Sequence, residues 1–110
     1  MNEKAQKELN SLVAQITKTN QEVVKVILFG SYAYGTPNED SDFDLCVLVS
    51  DKVENTRELR KRIHLDLYEM MDTPIDLMIY QVSKFQARAS SVVTLEYKIE
   101  KEGVVLYEEL

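Results

Sequence analysis

The sequence predicts an α/β (α+β) protein in which a small β-sheet is packed with helices. Short β-branched runs, typical of buried strands, alternate with longer amphipathic stretches that have helical spacing. No segment repeats internally, and no low-complexity stretch interrupts the pattern. The 110 residues provide enough chain for one hydrophobic core and too little for two, so we expect a single domain over residues 1–110.

The first half of the chain predicts one helix and two strands. Residues 3–19 have an amphipathic pattern, and the apolar positions in it are Leu9, Leu12, Val13 and Ile16. Residues 23–29 are mostly β-branched and end at Gly30, which indicates a buried strand. Turn-forming residues at 36–41 then lead into a second apolar strand at residues 43–49.

A further helix and a third strand follow. Asn55 and Glu58 resemble a capping box, so we expect a helix to begin there and to stop at Pro74. The apolar face of this helix is formed by Leu59, Ile63, Leu67 and either Met70 or Met71. Residues 75–80 predict a strand that is apolar except at Asp76 and its terminal tyrosine.

The last third of the chain is predicted to be mainly helical. Ser83 and Gln86 indicate the start of a helix, which is expected to break near Ser90 and to stop at Gly103. The apolar residues of its later part are Val92, Leu95 and Ile99. Residues 104–107 predict a short final strand. The complete order of elements is therefore αβ(loop)βαβαα(β), which fits a small sheet covered by helices.

Composition excludes several classes of function. With 13 Lys and Arg against 19 Asp and Glu, the net charge is −6, which disfavours nucleic-acid binding because duplex affinity depends on basic residues. A polyphosphate would still bind through a metal ion. The single cysteine and the lack of a secretory pattern predict a cytoplasmic protein. No apolar run approaches the ~18 residues of a membrane span, so no membrane association is expected.

Three aspartates are the strongest candidates for a functional site. Strand side chains alternate, so Asp42 and Asp44 lie on one face with their Cα atoms about 6.6–6.8 Å apart. Two carboxylates so close repel each other, so the pair either raises its own pKa or needs a cation, for which the hard, oxygen-seeking Mg²⁺ is well suited. Asp76 lies in an equally apolar strand and also needs a partner, because an unpaired buried carboxylate is costly. A neighbouring strand would direct it toward the same ion.

The turn after the first strand has features of a phosphate site. Gly30 lacks a Cβ and lets backbone N–H groups approach a phosphate, while the Ser31 hydroxyl donates one more hydrogen bond. Gly35 is expected to close a short helical turn. Strand-borne carboxylates around one or two divalent ions hold a nucleoside triphosphate for in-line displacement, with Asp76 as a further ligand or as the base.

The same residues resemble a known signature. The stretch reads Gly30-Ser31, three residues, Gly35, five residues, then Ser-Asp-Phe-Asp-Leu at 41–45, and a later strand carries Asp76. This series is similar to that of the DNA polymerase β-like nucleotidyltransferase superfamily and covers residues 23–80. The resemblance implies a mixed sheet of polymerase β-like fold. It also implies that Asp42, Asp44 and Asp76 hold Mg²⁺ and that the nucleotide binds near Gly30 and Ser31.

The short chain resembles the minimal nucleotidyltransferases (MNT) of that superfamily, which often act as antitoxins. The resemblance implies a small helical partner of the HEPN class, and transfer of AMP from ATP to a tyrosine of that partner. The sequence thus predicts a Mg²⁺-dependent transferase whose acceptor hydroxyl belongs to a partner toxin. The alternative is a non-catalytic antitoxin that neutralises the partner by covering its active surface.

One departure from the signature keeps this alternative open. Many relatives carry Arg immediately before the second glycine, where this chain has Tyr34. A guanidinium binds phosphate through two parallel hydrogen bonds, whereas a phenol offers one hydrogen bond and a stacking face. The strength of nucleotide binding therefore depends on which group takes over the role of the missing guanidinium.

A calcium-binding loop is a weaker interpretation of the acidic stretch. Asp40, Asp42 and Asp44 begin like an EF-hand, but the sixth position is Leu45 where glycine is required. The twelfth position is Asp51 instead of glutamate, and a strand follows where a helix is needed. The spacing therefore favours the magnesium interpretation.

Other chemically capable residues have simpler structural interpretations. Tyr32 and Tyr34 would stack on a base, although packing is the commoner role of aromatic residues beside a turn. His64 has no partner at metal-ligand spacing, and Cys46 lies on an apolar strand with no activating base. Three basic residues of the second predicted helix would meet phosphate or an acidic partner, although a solvated face is the simpler interpretation: Arg57, Arg60 and Lys61.

Overall fold

The computed structural model describes residues 1–109, and its elements follow the predicted order. They are α1 (Glu3–Thr19), β1 (Val23–Phe29), α2 (Ser31–Tyr34), β2 (Phe43–Val49), α3 (Thr56–Leu67), β3 (Ile75–Gln81), α4 (Val82–Ala89), α5 (Leu95–Glu102) and β4 (Val104–Glu108). None of the helices in this part of the chain combines the length and the apolar character needed to cross a bilayer.

The four strands form one mixed sheet in the order β3-β2-β1-β4. β1 pairs antiparallel with β2 and β4, whereas β2 and β3 are parallel. Parallel neighbours need a crossover, and α3 provides it. The predicted mixed sheet packed with helices is therefore confirmed. This topology brings the end of β1 and the beginnings of β2 and β3 to the same end of the sheet.

Helices cover both faces of the sheet and create two apolar clusters. On one face α1 and α3 pack against strand residues such as Val26, Leu45 and Leu77. On the other face α4 and α5 pack against Ile27 and Cys46. The alternation of strand side chains explains this division, because successive residues of one strand point into different clusters.

The sequence predicted the N-terminal cap of α3 but not that of α1. Asn55 Oδ1 accepts a hydrogen bond from the Glu58 backbone N–H at 3.0 Å, as the capping pattern predicts. Asn2 caps α1 in the same way, accepting from the Ala5 N–H at 2.8 Å. Both helices bury the apolar faces predicted for them: Leu9, Leu12, Val13, Ile16, Leu59, Ile63 and Leu67.

The prediction that Pro74 stops the second long helix is wrong, because α3 ends at Leu67. The residues between the helix end and β3 are held by a contact from α1. Glu8 Oε2 accepts hydrogen bonds from the Asp72 and Thr73 backbone N–H groups, each at 2.7 Å. Glu8 Oε1 also accepts from the Thr73 hydroxyl at 2.7 Å. These bonds hold residues 72–73, which bend before β3, and Met70 and Met71 lie beyond the helix.

The last two helices begin differently from the prediction. Neither Ser83 nor Gln86 caps α4; the Ser83 backbone N–H instead donates to Asp51 Oδ1 at 3.0 Å. The predicted break near Ser90 is confirmed, and Thr94 caps α5 by accepting from the Tyr97 N–H at 3.1 Å. Of the three apolar residues predicted for this part, Ile99 is buried, whereas Val92 and Leu95 are exposed.

Gly103 ends α5, as predicted, for a reason other than left-handed geometry. Its φ is −69°, which any residue adopts. A Cβ at this position would overlap the Ile99 carbonyl oxygen and lie 2.6 Å from Ile27 Cγ2. The glycine is therefore required because the helix end lies against β1.

The cluster under α4 and α5 contains one buried carboxylate. Glu96 is 4% exposed; the Tyr80 hydroxyl donates to its Oε2 at 2.5 Å, and Arg88 Nε lies 3.0 Å from its Oε1. Burial alone would raise the pKa of Glu96, but hydrogen bonds from Tyr80 and the backbone, together with the Arg88 guanidinium, hold that pKa below its ordinary value. This network joins α4, α5 and β3.

Candidate functional site

The candidate site lies at the end of the sheet where β1 finishes and β2 and β3 begin. Asp44 pairs with Phe29 of β1 on one side and with Asp76 of β3 on the other. Residues in register on neighbouring strands share a face, so the side chains of Asp44 and Asp76 are adjacent. Asp42, two residues before Asp44, is exposed just ahead of β2. Asp76 is exposed as well, so the expectation of a buried carboxylate in β3 is wrong, because its side chain points away from the cluster that buries Ile75 and Leu77. The structure thus brings the three predicted aspartates to one end of the sheet.

The three carboxylates interact without compensation from the protein. Burial, and then the negative charges of Asp76 and Asp42, raise the pKa of the Asp44 carboxyl. Within residues 1–109, no basic side chain forms an ion pair with any of the three, and none of their oxygens accepts a hydrogen bond. The arrangement therefore favours binding of a cation from solution.

The carboxylate oxygens of the three aspartates are suitable ligands for magnesium, although they do not converge on one position in this structure. In the described part of the chain, no three His, Cys, Asp or Glu side chains converge closely enough to hold a metal. The three aspartates nevertheless supply hard oxygen donors on one face, and their mutual repulsion would be relieved by a divalent cation. Their assignment as ligands stays a prediction, and binding would require their side chains to turn inward.

Gly30 is the residue that allows Asp44 to occupy its position. Its backbone has φ 75° and ψ −157°, a region that residues with a Cβ rarely adopt. A Cβ would also overlap Asp44 Oδ2. The end of β1 therefore packs its bare backbone against the Asp44 carboxylate, and the turn predicted to bind phosphate directly adjoins the acidic side.

The short helix α2 follows Gly30 and contains Ser31. The Ala33 and Tyr34 backbone N–H groups donate to the Gly30 carbonyl at 3.1 and 3.0 Å, which leaves the first N–H groups of the turn without partners inside it. Gly35 ends the turn in the left-handed conformation with φ 84°, as the sequence indicates. Gly30 and Ser31 therefore occupy the expected place, and their binding of a nucleotide stays a prediction.

The two tyrosines of α2 pack into the protein. The Tyr32 ring centroid lies 4.7 Å from that of Phe43, next to the cluster under α1 and α3. Tyr34 packs against the opposite cluster, and its hydroxyl is buried without a hydrogen-bond partner in residues 1–109. Lys98 Nζ lies 4.8 Å from the centre of the Tyr34 ring. The position usually held by Arg is thus an aromatic packing site with a lysine beside it.

Sequence reasoning missed a groove beside Asp76, which we call the basic groove. It has a volume of about 350 Å³; α3 contributes Arg60, Lys61, His64 and Leu65, and β3 contributes residues 75–77. The solvated-face interpretation treated Arg57, Arg60 and Lys61 alike, but Arg57 does not line the groove. The spacing of Arg60 and His64 places them on one helix face, which was the available signal. Their closeness to Asp76 depends on the path that α3 takes between β2 and β3, which the sequence does not reveal.

Cys46 agrees with its interpretation as a small buried hydrophobe. It is 0% exposed in the centre of β2. Burial, followed by the nearby charge of Glu96, raises the pKa of its thiol to about 12. The thiolate needed for nucleophilic chemistry is therefore strongly disfavoured.

Comparison with known proteins gives a family match over nearly the whole chain. The family model described as "Polymerase beta, Nucleotidyltransferase" matches residues 12–109. Among curated proteins, none matches the chain in sequence. The matched range includes α2, all four strands and the three aspartates.

Solved structures share the fold at low sequence identity. A mutant of the toxin–antitoxin MntA–HpeT is 20% identical with a TM-score of 0.64, covering 91% of this chain and 73% of that one. A toxin–antitoxin with AMP-PNP is 22% identical with a TM-score of 0.60, covering 93% and 73%. A tri-AMPylated Shewanella oneidensis HEPN toxin in complex with MNT antitoxin gives 20% identity, a TM-score of 0.58 and coverage of 94% and 72%.

Proposed function

The chain belongs to the polymerase beta nucleotidyltransferase family, and we propose that it transfers AMP from ATP, with Mg²⁺, to a hydroxyl of a partner protein. The observation that carries this proposal is the uncompensated group of Asp42, Asp44 and Asp76 next to the bare backbone of Gly30. A site that concentrates negative charge beside a phosphate-accessible turn suits a nucleotide that arrives with its cation.

Each group in the site has a defined task in this reaction. Gly30 and Ser31 hold the phosphates, while Asp42, Asp44 and Asp76 would hold Mg²⁺, which would neutralise phosphate oxygens and the charge of the leaving pyrophosphate. The acceptor oxygen attacks the α-phosphorus, and the bond from that phosphorus to the bridging oxygen breaks. Pyrophosphate leaves with the electron pair of that bond, and the Asp76 carboxylate accepts the hydroxyl proton.

The names of the structural relatives support the proposed partner. Two relatives described above are toxin–antitoxin proteins, and a third is an MNT antitoxin in complex with an AMPylated HEPN toxin. We infer that this chain acts as an antitoxin of a small helical HEPN-type toxin and that the acceptor is a tyrosine of that toxin. The net charge of −6 agrees with a protein acceptor rather than a nucleic acid.

A labelling experiment tests the proposal. The purified chain, Mg²⁺, ATP labelled at the α-phosphate and the proposed HEPN-type partner protein are incubated together. We expect label on the partner, and a loss of at least about 100-fold in rate in Asp42→Asn and in Asp44→Asn. Asp40→Asn is the matched control, because Asp40 is an exposed aspartate of the same loop and should leave the rate within about twofold.

The second candidate function is a non-catalytic antitoxin. Tyr34 favours it, because a partly buried aromatic side chain stands where many relatives carry a phosphate-binding Arg. In that case the chain would neutralise the toxin without transferring label, and neutralisation would survive both Asp42→Asn and Asp44→Asn. Retained neutralisation without label in the wild type would overturn the transferase proposal.

A further inference from the structure

We propose that the basic groove binds an acidic segment of the protein acceptor and thereby presents the acceptor hydroxyl to Asp76. The inference rests on the proposed function and names the class of acceptor that this site selects. It follows from the charge of the groove, its place across the sheet and the open edge of β3.

The groove is a locally basic part of a chain whose overall charge is negative. The whole chain carries a net charge of −6, yet Arg60 and Lys61 stand together beside Asp76. Both side chains are exposed, and the ion pairs found in residues 1–109 involve neither of them. Their charges are therefore available to a ligand, and carboxylates are the complementary groups.

The position of the groove separates it from the nucleotide side of the site. Across the sheet, Gly30 follows Phe29 on β1, and Asp76 lies on β3, with β2 between them. Two strand spacings correspond to about 10 Å. The phosphates would lie over β1 and α2, whereas the groove lies between α3 and the edge strand β3. A group bound in the groove would thus reach Asp76 from the β3 edge, away from the turn proposed to hold the phosphates.

The open edge of β3 explains why the ligand should be an extended segment. β3 is the outermost strand, and its outer side is unpaired in the part of the chain that the structure describes. Such an edge can hydrogen-bond to an added strand, and side-chain pockets beside it supply the specificity. Leu65, which is 75% exposed, adds an apolar contact next to the two basic side chains.

Peptide binding tests this inference without requiring catalysis. The probe is a fluorescein-labelled peptide with one tyrosine flanked by glutamates, compared with peptides in which lysines or glutamines replace the glutamates. We expect only the glutamate peptide to bind, and the variant with Arg60→Glu and Lys61→Glu to bind it at least about tenfold more weakly. Arg57→Glu is the control, because it reverses one positive charge on α3 outside the groove, and it should bind within about twofold of wild type.

The result also separates this inference from the proposed function. Equal binding of the three peptides, or equal binding by the double variant and wild type, would overturn the inference even if the partner becomes labelled. Charge-dependent binding that depends on Arg60 and Lys61 would support it even if no label is transferred. If the double variant instead loses binding of fluorescent ATP with Mg²⁺ while peptide binding persists, the groove serves the nucleotide and the inference is wrong.

Discussion

Gly30 and Asp44 form a pair in which a residue without a side chain makes room for a carboxylate whose pKa is raised. The positive φ of Gly30 and the closeness of Asp44 Oδ2 are separate constraints on the same position. The sequence motif predicts that a glycine is needed here for access to phosphate. The structure adds that a side chain would displace Asp44.

The first prediction concerns Gly30→Ala. We expect the free energy of unfolding to fall by about 2–3 kcal/mol and transfer to be lost, because backbone strain and displacement of Asp44 act together. Gly35→Ala is the matched control: its φ is also positive, but nothing lies within 4 Å of the added Cβ, so about 1 kcal/mol is expected. Urea denaturation measures both. Equal losses in the two variants would contradict the role given to Asp44.

The second prediction concerns the charge of Asp44. Because its pKa is raised by burial and by Asp76 and Asp42, the ionised group disfavours the folded state above that pKa, and the penalty disappears as pH falls below the unfolded value. At pH 7 without metal, Asp44→Asn should therefore be more stable, by about 0.5 kcal/mol because solvent screens the site.

Magnesium should reverse this order. Mg²⁺ is expected to raise the melting temperature of the wild type and of the Asp40→Asn control, and to leave Asp44→Asn nearly unchanged. Thermal denaturation with and without Mg²⁺ measures the difference. An equal rise in Asp44→Asn would exclude Asp44 as a ligand.

The secondary elements show which parts of the fold are locally encoded. β1 and β2 have the predicted bounds, because an apolar β-branched run between turn residues specifies a strand by itself. The end of α3 was missed, and residues 72–73 beyond it are held by Glu8 of α1, which is about 64 residues away in sequence. A contact over such a distance leaves no local pattern, and the same is true of the Asp51 bond at the start of α4.

The candidate site likewise has residues whose position could be predicted from the sequence and residues whose position depends on tertiary contacts. Gly30, Asp42 and Asp44 lie within one continuous motif, so their proximity could be predicted from spacing. The placement of Asp76 beside Asp44 was predicted on the ground that a carboxylate buried in an apolar strand needs a partner, but Asp76 is exposed, and the register of β2 and β3 accounts for its position instead. The basic groove could not be predicted, because it depends on the path of α3 over the edge of β3.

The third prediction concerns Glu8, which ties α1 to the segment entering β3. Glu8→Gln is expected to lower the free energy of unfolding by about 2 kcal/mol, because three charge-assisted hydrogen bonds are weakened or lost. Glu3→Gln, which removes only an exposed pair with Lys7, should cost less than about 0.5 kcal/mol. Urea denaturation distinguishes the two. A loss in Glu8→Gln no larger than in Glu3→Gln would show that the contact contributes little.

The molecule as a whole consists of one sheet with an apolar cluster on each face. Each strand of the sheet interior contributes to both clusters, so neither cluster can open without exposing strand residues of the other. We therefore propose that residues 1–110 unfold as one domain. Coincident transitions by far-ultraviolet circular dichroism and tyrosine fluorescence would support this, and separated transitions would contradict it.

The fourth prediction concerns the dependence of global stability on pH through Glu96. Because the folded pKa is lowered, this carboxylate stabilises the protein above its unfolded pKa near 4.5, and the contribution is lost as pH falls through the folded pKa. Glu96→Gln should cost about 2 kcal/mol at pH 7, since it weakens the bonds to Tyr80 and Arg88. The difference from wild type should shrink below pH 4.5 in urea titrations. A difference independent of pH would contradict the assignment.

Because Cys46 is buried, the reactivity of its thiol reports transient opening of the sheet. The chain has no other thiol, and this one lies in the centre of the sheet with a strongly raised pKa. An alkylating reagent would modify it only during moments when β2 is laid bare. The rate of Cys46 alkylation therefore measures how often the centre of the sheet opens, and no label has to be engineered. The rate can be compared before and after nucleotide or partner is added.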